Sequence, residues 1–120
     1  MDRKQIGKMG EEIASKYLQS KSFQIIDTNF YSHWGEIDIV AKINDKIIFV
    51  EVKTKIGDSR GLPHEAFHFY KRKSLKRAVS YYLLNNKLNE YKLSIDVISV
   101  VLNTDLSVRN IKQYENVETI

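Results

Sequence analysis

"GEIDIVAKINDKIIFVEVK", residues 35–53, decides the fold. Two runs rich in Ile, Val and Phe flank Asn44-Asp45, residue types that accept the positive φ angles of a tight turn, so the stretch reads as a β-hairpin. Side chains alternate along a strand. Glu36, Asp38 and Val40 therefore share one side of the first strand, and Ile37, Ile39 and Ala41 the other. In the second strand Ile47, Phe49, Glu51 and Lys53 share a side, with Ile48, Val50 and Val52 opposite. With Asn44 and Asp45 as the loop, Val40 faces Phe49, Asp38 faces Glu51 and Glu36 faces Lys53; an odd loop would make Asp38 and Glu51 diagonal neighbours.

One face of the hairpin is wholly apolar, while the other sets two carboxylates about 5 Å apart at Cβ, which destabilises a sheet unless something positive lies between them. Lys53 supplies one charge. A hard divalent cation such as Mg²⁺ or Mn²⁺ does so better, because it takes carboxylate oxygens. The plainer alternative is a pair of exposed strand-end acids with one salt bridge to Lys53.

Outward from the hairpin, residues 5–20 read as an amphipathic helix with Ile6, Met9, Ile13, Ala14, Tyr17 and Leu18 at helical spacing. Residues 23–31 read as a strand, "GDSRGLP" (57–63) as a loop, and a second helix runs from Pro63 to about Leu84. "KLSIDVISVVL" (92–102) is a fourth strand and "VRNIKQYENV" (108–117) a fifth of weaker pattern. Three consecutive strands suit an antiparallel meander, and the long helix permits a crossover to a parallel neighbour. The expected fold is α/β: a mixed sheet flanked by helices in the order α-β-β-β-α-β(-β).

The length of 120 residues suits one domain, residues 1–120, with a modest core. No apolar run approaches a membrane span, and the first residues lack the apolar stretch of a secretory signal. The chain has no cysteine, which excludes disulfides and thiolate zinc sites and fits a cytoplasmic location. Nineteen Lys and Arg against fifteen Asp and Glu give +4, an excess whose distribution matters more than its size.

Further acids lie outside the hairpin. Glu12 falls opposite the apolar stripe of the first helix and should be solvated, whereas Glu11 lies on the stripe's edge, within reach of the hairpin acids or as a plain surface residue. Asp96 shares a strand side with Ile98 and Val100 and so needs a partner; it reads as a member of a structural ion pair rather than as an outer contributor to the site.

Taken in order and spacing, "GKMGEEIASKYL", "NFYSHWGEIDIVA", "IIFVEVKTK", "GLPHEAF" and "IDVI" resemble the YraN-like family of uncharacterised bacterial proteins. That family is similar to Holliday-junction resolvases and belongs to the PD-(D/E)XK nuclease superfamily. The resemblance implies a restriction-endonuclease-like fold in which Asp38 is the metal-binding aspartate and Glu51-Val52-Lys53 the E-x-K element. It implies that Glu11 and Glu36 match further acids of the pattern and that Lys71 matches a lysine at the start of the second helix. Lys55 stands where arginine is common, and Ser94-Ile95 where Arg-Phe is usual.

The chemistry so implied is metal-assisted phosphodiester hydrolysis in DNA, with branched DNA as one form of substrate. Asp38 and Glu51, joined by the Val52 carbonyl, would hold Mg²⁺ or Mn²⁺; Glu11 or Glu36 would hold a second ion or orient its waters; Lys53 would position or activate a water. Whether one ion or two binds stays open. Lys71, Arg72, Lys73, Lys76 and Arg77 on the second helix, with Lys55 on the strand, form a row suited to phosphates. A solvated amphipathic face is the bland alternative for that row. Trp34 could stack on an unpaired base, or simply pack beside its turn.

Two other readings stand beside the nuclease. The acids and the basic helix would also serve a non-catalytic nucleic-acid binder. His64-Glu65-Ala66-Phe67-His68 matches the H-E-x-x-H pattern of zinc peptidases, but it stands beside Lys71, Arg72 and Lys73 and has no third ligand at a characteristic spacing. A homodimer, which would set two sites on two strands, rests on analogy alone.

Overall fold

Asp2 opens the first helix, α1 (Arg3–Ser20), with a capping box: its side chain accepts the Gln5 amide and the Gln5 side chain returns to the Asp2 amide. β1 (Gln24–Ser32), β2 (Gly35–Ile43) and β3 (Lys46–Ile56) form the meander; α2 (Phe69–Asn85) leads to β4 (Lys92–Leu102), and β5 (Val108–Glu118) completes the chain. This computed structural model describes residues 1–57 and 69–120, with the backbone alone for 69–72. Pro63 and residues 64–68, including the H-E-x-x-H stretch, lie outside the described residues.

The strands make one five-stranded sheet in the order β1-β2-β3-β4-β5. β3 and β4 pair in parallel and all other neighbours are antiparallel. This is the mixed α-β-β-β-α-β-β arrangement expected, with β5 now a full edge strand. No helix among the described residues is long and apolar enough to cross a membrane.

The hairpin register follows from its turn. Asn44 takes φ +51°, and Ile43↔Lys46, Ala41↔Ile48 and Val40↔Phe49 pair as the two-residue loop requires. Both sheet faces are covered. α2 places Leu75, Ala78, Val79 and Tyr82 on Val40, Ile47, Phe49, Ile95 and Val97, and α1 places Ala14 and Leu18 on Ile39, Ala41, Ile48, Val50 and Ile98. A strand buried on both faces carries apolar residues at nearly every position, and β4 does so with Ser94, Asp96 and Ser99 as its buried polar members.

Two local expectations are corrected. Ile37 packs on the α2 side with Val40, while Ile39 packs on the α1 side, so strict alternation fails in β2 at Asp38. Opposite, Asn29 takes φ +49° and the β1–β2 pairing steps from Thr28↔Ile39 to Phe30↔Ile37. Asp96 is not an ion-pair member among the described residues. Its carboxylate accepts hydrogen bonds from Ser94 Oγ, Gln113 Nε2 and the Asn116 amide, and these span a register shift between Ile95 and Val97. Among the described residues, hydrogen bonds rather than a cation satisfy the buried carboxyl group.

α1 approaches β3 closely at Gly10, where an added Cβ would overlap the Thr54 side chain. Gly10→Ala should therefore destabilise the protein by about 1–3 kcal/mol despite the better helix propensity of alanine. Urea unfolding checks this: the midpoint should fall in Gly10→Ala and partly recover in Gly10→Ala/Thr54→Ala, whereas an unchanged midpoint in the single variant would show that the helix simply moves aside.

Candidate metal centre

The β2–β3 ladder stops at Ile39↔Val50. One residue beyond it, the Asp38 carboxylate accepts the Val52 amide at 2.7 Å, so a side chain takes the place of a backbone acceptor and the strands part. The expected direct pairs Asp38–Glu51 and Glu36–Lys53 are thus not ladder partners. The parting opens a cavity of about 350 Å³ lined by Glu11, Glu36, Asp38, Glu51, Val52, Ser74 and Leu75.

All four predicted acids face this cavity, from three elements. Glu11, Glu36 and Asp38 bring carboxylate oxygens within 4.8 Å of one another. Glu51 stands outside that trio, and Lys53 Nζ lies 3.6 Å from its Oε1 rather than against Glu36. Asp38 and Glu51 are 6% and 5% exposed, which rules out the alternative of exposed strand-end acids. Glu12 points to solvent, as its helical phase requires.

Burial pushes the Asp38 carboxyl up to about 9; the Glu51 charge, a hydrogen bond with Glu36 and the Glu11 charge act in the same direction, and the Val52 amide opposes them. A carboxyl bonded to another carboxyl needs a proton between them. Without a cation, the cluster holds itself together by keeping Asp38 protonated. The Glu36 charge, first among several causes, likewise raises the nearby Tyr31 hydroxyl.

Several members of the site escaped sequence reasoning. Asn29 Nδ2 donates to Glu11 Oε1 at 2.9 Å and fixes α1's acid over β2, a contact between distant segments with no local signature. Lys4, Lys8 and Tyr31 border Glu11 and Glu36 in an adjoining groove. The i, i+4, i+7 spacing of Lys4, Lys8 and Glu11 on one helix face was the available signal.

The predicted basic row divides. Lys73, Lys76 and Arg77 line a groove of about 590 Å³ with Trp34, Ser80, Tyr81 and Leu84. Lys76 Nζ lies 3.9 Å from Glu118 Oε1, and the Arg77 guanidinium sits 5.6 Å from the Trp34 ring centre. Lys55 follows Glu51 and Lys53 on one side of β3 and is half-buried. The side chains of Lys71 and Arg72 lie outside the described residues.

The sequence pattern of the uncharacterised protein family UPF0102 matches residues 10–100. A UPF0102 protein of Alkaliphilus oremlandii is 44% identical over 101 residues, covering 82% of this chain and 86% of its own. One of Clostridioides difficile is 44% identical over 102 residues (85% and 90%), and one of Clostridium tetani 40% over 112 residues (91% and 92%). The matched span contains Glu11, Glu36, Asp38, Glu51 and Lys53, so the whole acidic centre falls within the shared sequence. In keeping with the YraN-like resemblance of its motifs, the chain belongs to the uncharacterised protein family UPF0102.

Proposed function

We propose that this protein is a cytoplasmic, Mg²⁺- or Mn²⁺-dependent nuclease that hydrolyses phosphodiester bonds in DNA, branched DNA included. The observation that carries the reading is a single cavity fed by α1, β2 and β3, in which four acids converge and Lys53 pairs with Glu51. Among the described residues, the ionisable donors that converge on the cavity are carboxylates, which suit a hard cation. The raised Asp38 carboxyl marks a charge deficit that such a cation would relieve.

Asp38 and Glu51 would hold the ion, with Glu11 and Glu36 as further ligands or as acceptors for its waters. When bound, the ion supplies Lewis-acid polarisation of a phosphoryl oxygen and a water of lowered pKa. The chain's own groups do the rest. Lys53 orients the attacking water and offsets negative charge developing on the phosphoryl oxygens. The Val52 amide keeps the Asp38 carboxylate aimed into the cavity. Lys4 and Lys8, which border Glu11 and Glu36, and Lys73, Lys76 and Arg77 of the α2 groove would neutralise substrate phosphates. A homodimer would bring two such centres to the two strands of a branched duplex.

The test is incubation of the protein with linear, single-stranded and four-way DNA in Mg²⁺, Mn²⁺, Zn²⁺ or EDTA. Cleavage is expected with Mg²⁺ or Mn²⁺ and absent in EDTA, and the binding constant should fall steeply as salt rises. Salt-sensitive binding with no cleavage under any cation would leave a non-catalytic nucleic-acid binder in its place.

A further inference from the structure

We propose that the groove around Trp34 seats an unpaired nucleotide segment of the DNA strand that enters the acid cavity, so that the substrate is a duplex with a single-stranded branch or overhang. This rests on the nuclease reading for its placement, and on a separate surface for its chemistry.

Large apolar side chains normally leave water. Here Trp34 is 46%, Tyr81 42% and Leu84 81% exposed, and they line one groove of about 590 Å³, a volume typical of small-molecule sites. Lys73, Lys76 and Arg77 line the same groove. A purely apolar partner would leave those three cations desolvated, whereas a nucleic-acid strand offers phosphates to the cations and base faces to the rings. Within an intact duplex the bases stack on one another, and only the two end pairs show a face. An unpaired base has a free face, and Trp34 is held ready for it.

The turn that carries Trp34 is built rigidly. Ser32 Oγ donates to the Gly35 carbonyl at 2.8 Å and accepts the amides of Trp34 and Gly35 at 3.2 and 3.1 Å. Gly35 takes φ +152°, and a Cβ there would lie 3.0 Å from the Ser74 carbonyl oxygen, so the turn is seated directly on α2. The Arg77 guanidinium lies over the indole, a cation–π pair that fixes the ring's orientation and keeps a positive charge beside any base stacked there.

The groove and the acid cavity are lined by adjacent residues of the chain, and Gly35, between Trp34 and Glu36, lies against Ser74 of the cavity wall. Trp34 precedes Glu36 by two residues, and Lys73 of the groove adjoins Ser74 of the cavity wall. On this placement, a strand whose phosphate lies over the acids would run into the groove with its neighbouring nucleotides.

Trp34 is the single tryptophan of the chain, so its fluorescence reports on the groove directly. In EDTA, where no cleavage intervenes, the protein is titrated with an oligothymidylate, a blunt duplex and the same duplex carrying a single-stranded overhang. The single strand and the overhang should quench Trp34, and the blunt duplex should not. By anisotropy of labelled DNA, Trp34→Ala should weaken overhang binding about 5- to 150-fold and collapse the overhang-to-duplex affinity ratio. Trp34→Phe should restore most of both, and Lys73→Ala or Arg77→Ala should weaken overhang binding.

Equal quenching by all three DNAs, or none, overturns the inference. So does fluorescence that changes on dilution of the protein alone and not with DNA, which would assign the groove to a second copy of the chain. Cleavage in Mn²⁺ without overhang preference or quenching removes the groove and leaves the nuclease; quenching and preference without cleavage keeps the groove and removes the nuclease.

Discussion

Asp38→Ala and Glu51→Ala should each lower Mg²⁺- or Mn²⁺-dependent DNA cleavage by at least about 10²-fold, the scale on which one charge-stabilising group acts in a water-poor site. The two losses differ in what else they disturb. Removing the Asp38 side chain takes the protein acceptor from the part-buried Val52 amide, a hydrogen bond worth about 0.5–1.5 kcal/mol. Asp38→Asn keeps an acceptor oxygen for that amide and removes the ionisable proton. It should therefore be as inactive as Asp38→Ala yet at least as stable as the parent at neutral pH, which separates loss of chemistry from loss of fold. Glu51→Ala removes an ion-pair partner of Lys53 as well as a predicted ligand. Lys53→Ala should lose cleavage while still taking up Mn²⁺, because Lys53 acts on water and phosphate rather than on the ion. Gel cleavage assays, Mn²⁺ calorimetry and urea midpoints on the same preparations decide the matter. Parental cleavage by Asp38→Asn or Glu51→Ala would end the metal-nuclease reading.

How far the site could be read beforehand depended on whether its causes were local. Hairpin register was legible because Asn44-Asp45 and the alternation of Ile, Val and Phe act within a few residues, and Val40↔Phe49 and Ala41↔Ile48 follow from them. The same reasoning failed beyond Ile39, because there the Asp38 side chain replaces a backbone acceptor and Ile37 turns to the opposite core. Periodicity assumes an unbroken ladder. The convergence of Glu11 was only half legible: its helical phase left it at the stripe's edge, and Asn29, far off in sequence, is what draws it over β2. Asp96 was read correctly as needing a partner and wrongly as needing a cation, since its acceptors are satisfied by Gln113 and Asn116 across a shift in β5. Such shifts depend on which strand ends up beside which, and a chain order does not state that.

The metal-free protein should lose stability as pH rises from about 4 to about 9. Folded Asp38 keeps its proton until about 9, against 3.8 for an ordinary aspartate, mainly because the charged form would be buried. Between those values the folded state holds a proton that the unfolded state has released, so raising the pH favours unfolding, with a slope of up to about 1.4 kcal/mol per pH unit from this group. Below the window both states are protonated and above it both are ionised, so the contribution is flat at either end. Asp38→Asn lacks the titrating group and should lack this part of the slope; the difference between parent and variant isolates it from every other carboxylate. A bound cation reverses the balance, because it requires the ionised carboxylate. Mn²⁺ uptake near pH 7 should therefore release about one proton per protein, seen as a dependence of the calorimetric heat on the buffer's protonation enthalpy, and the apparent affinity should rise up to tenfold per pH unit until about 9. Urea unfolding at pH 5, 7 and 8.5 in EDTA tests the first half. A parent whose stability tracks that of Asp38→Asn across this range would mean that Asp38 is already ionised in the folded protein, and that the acids do not need an ion to be held together.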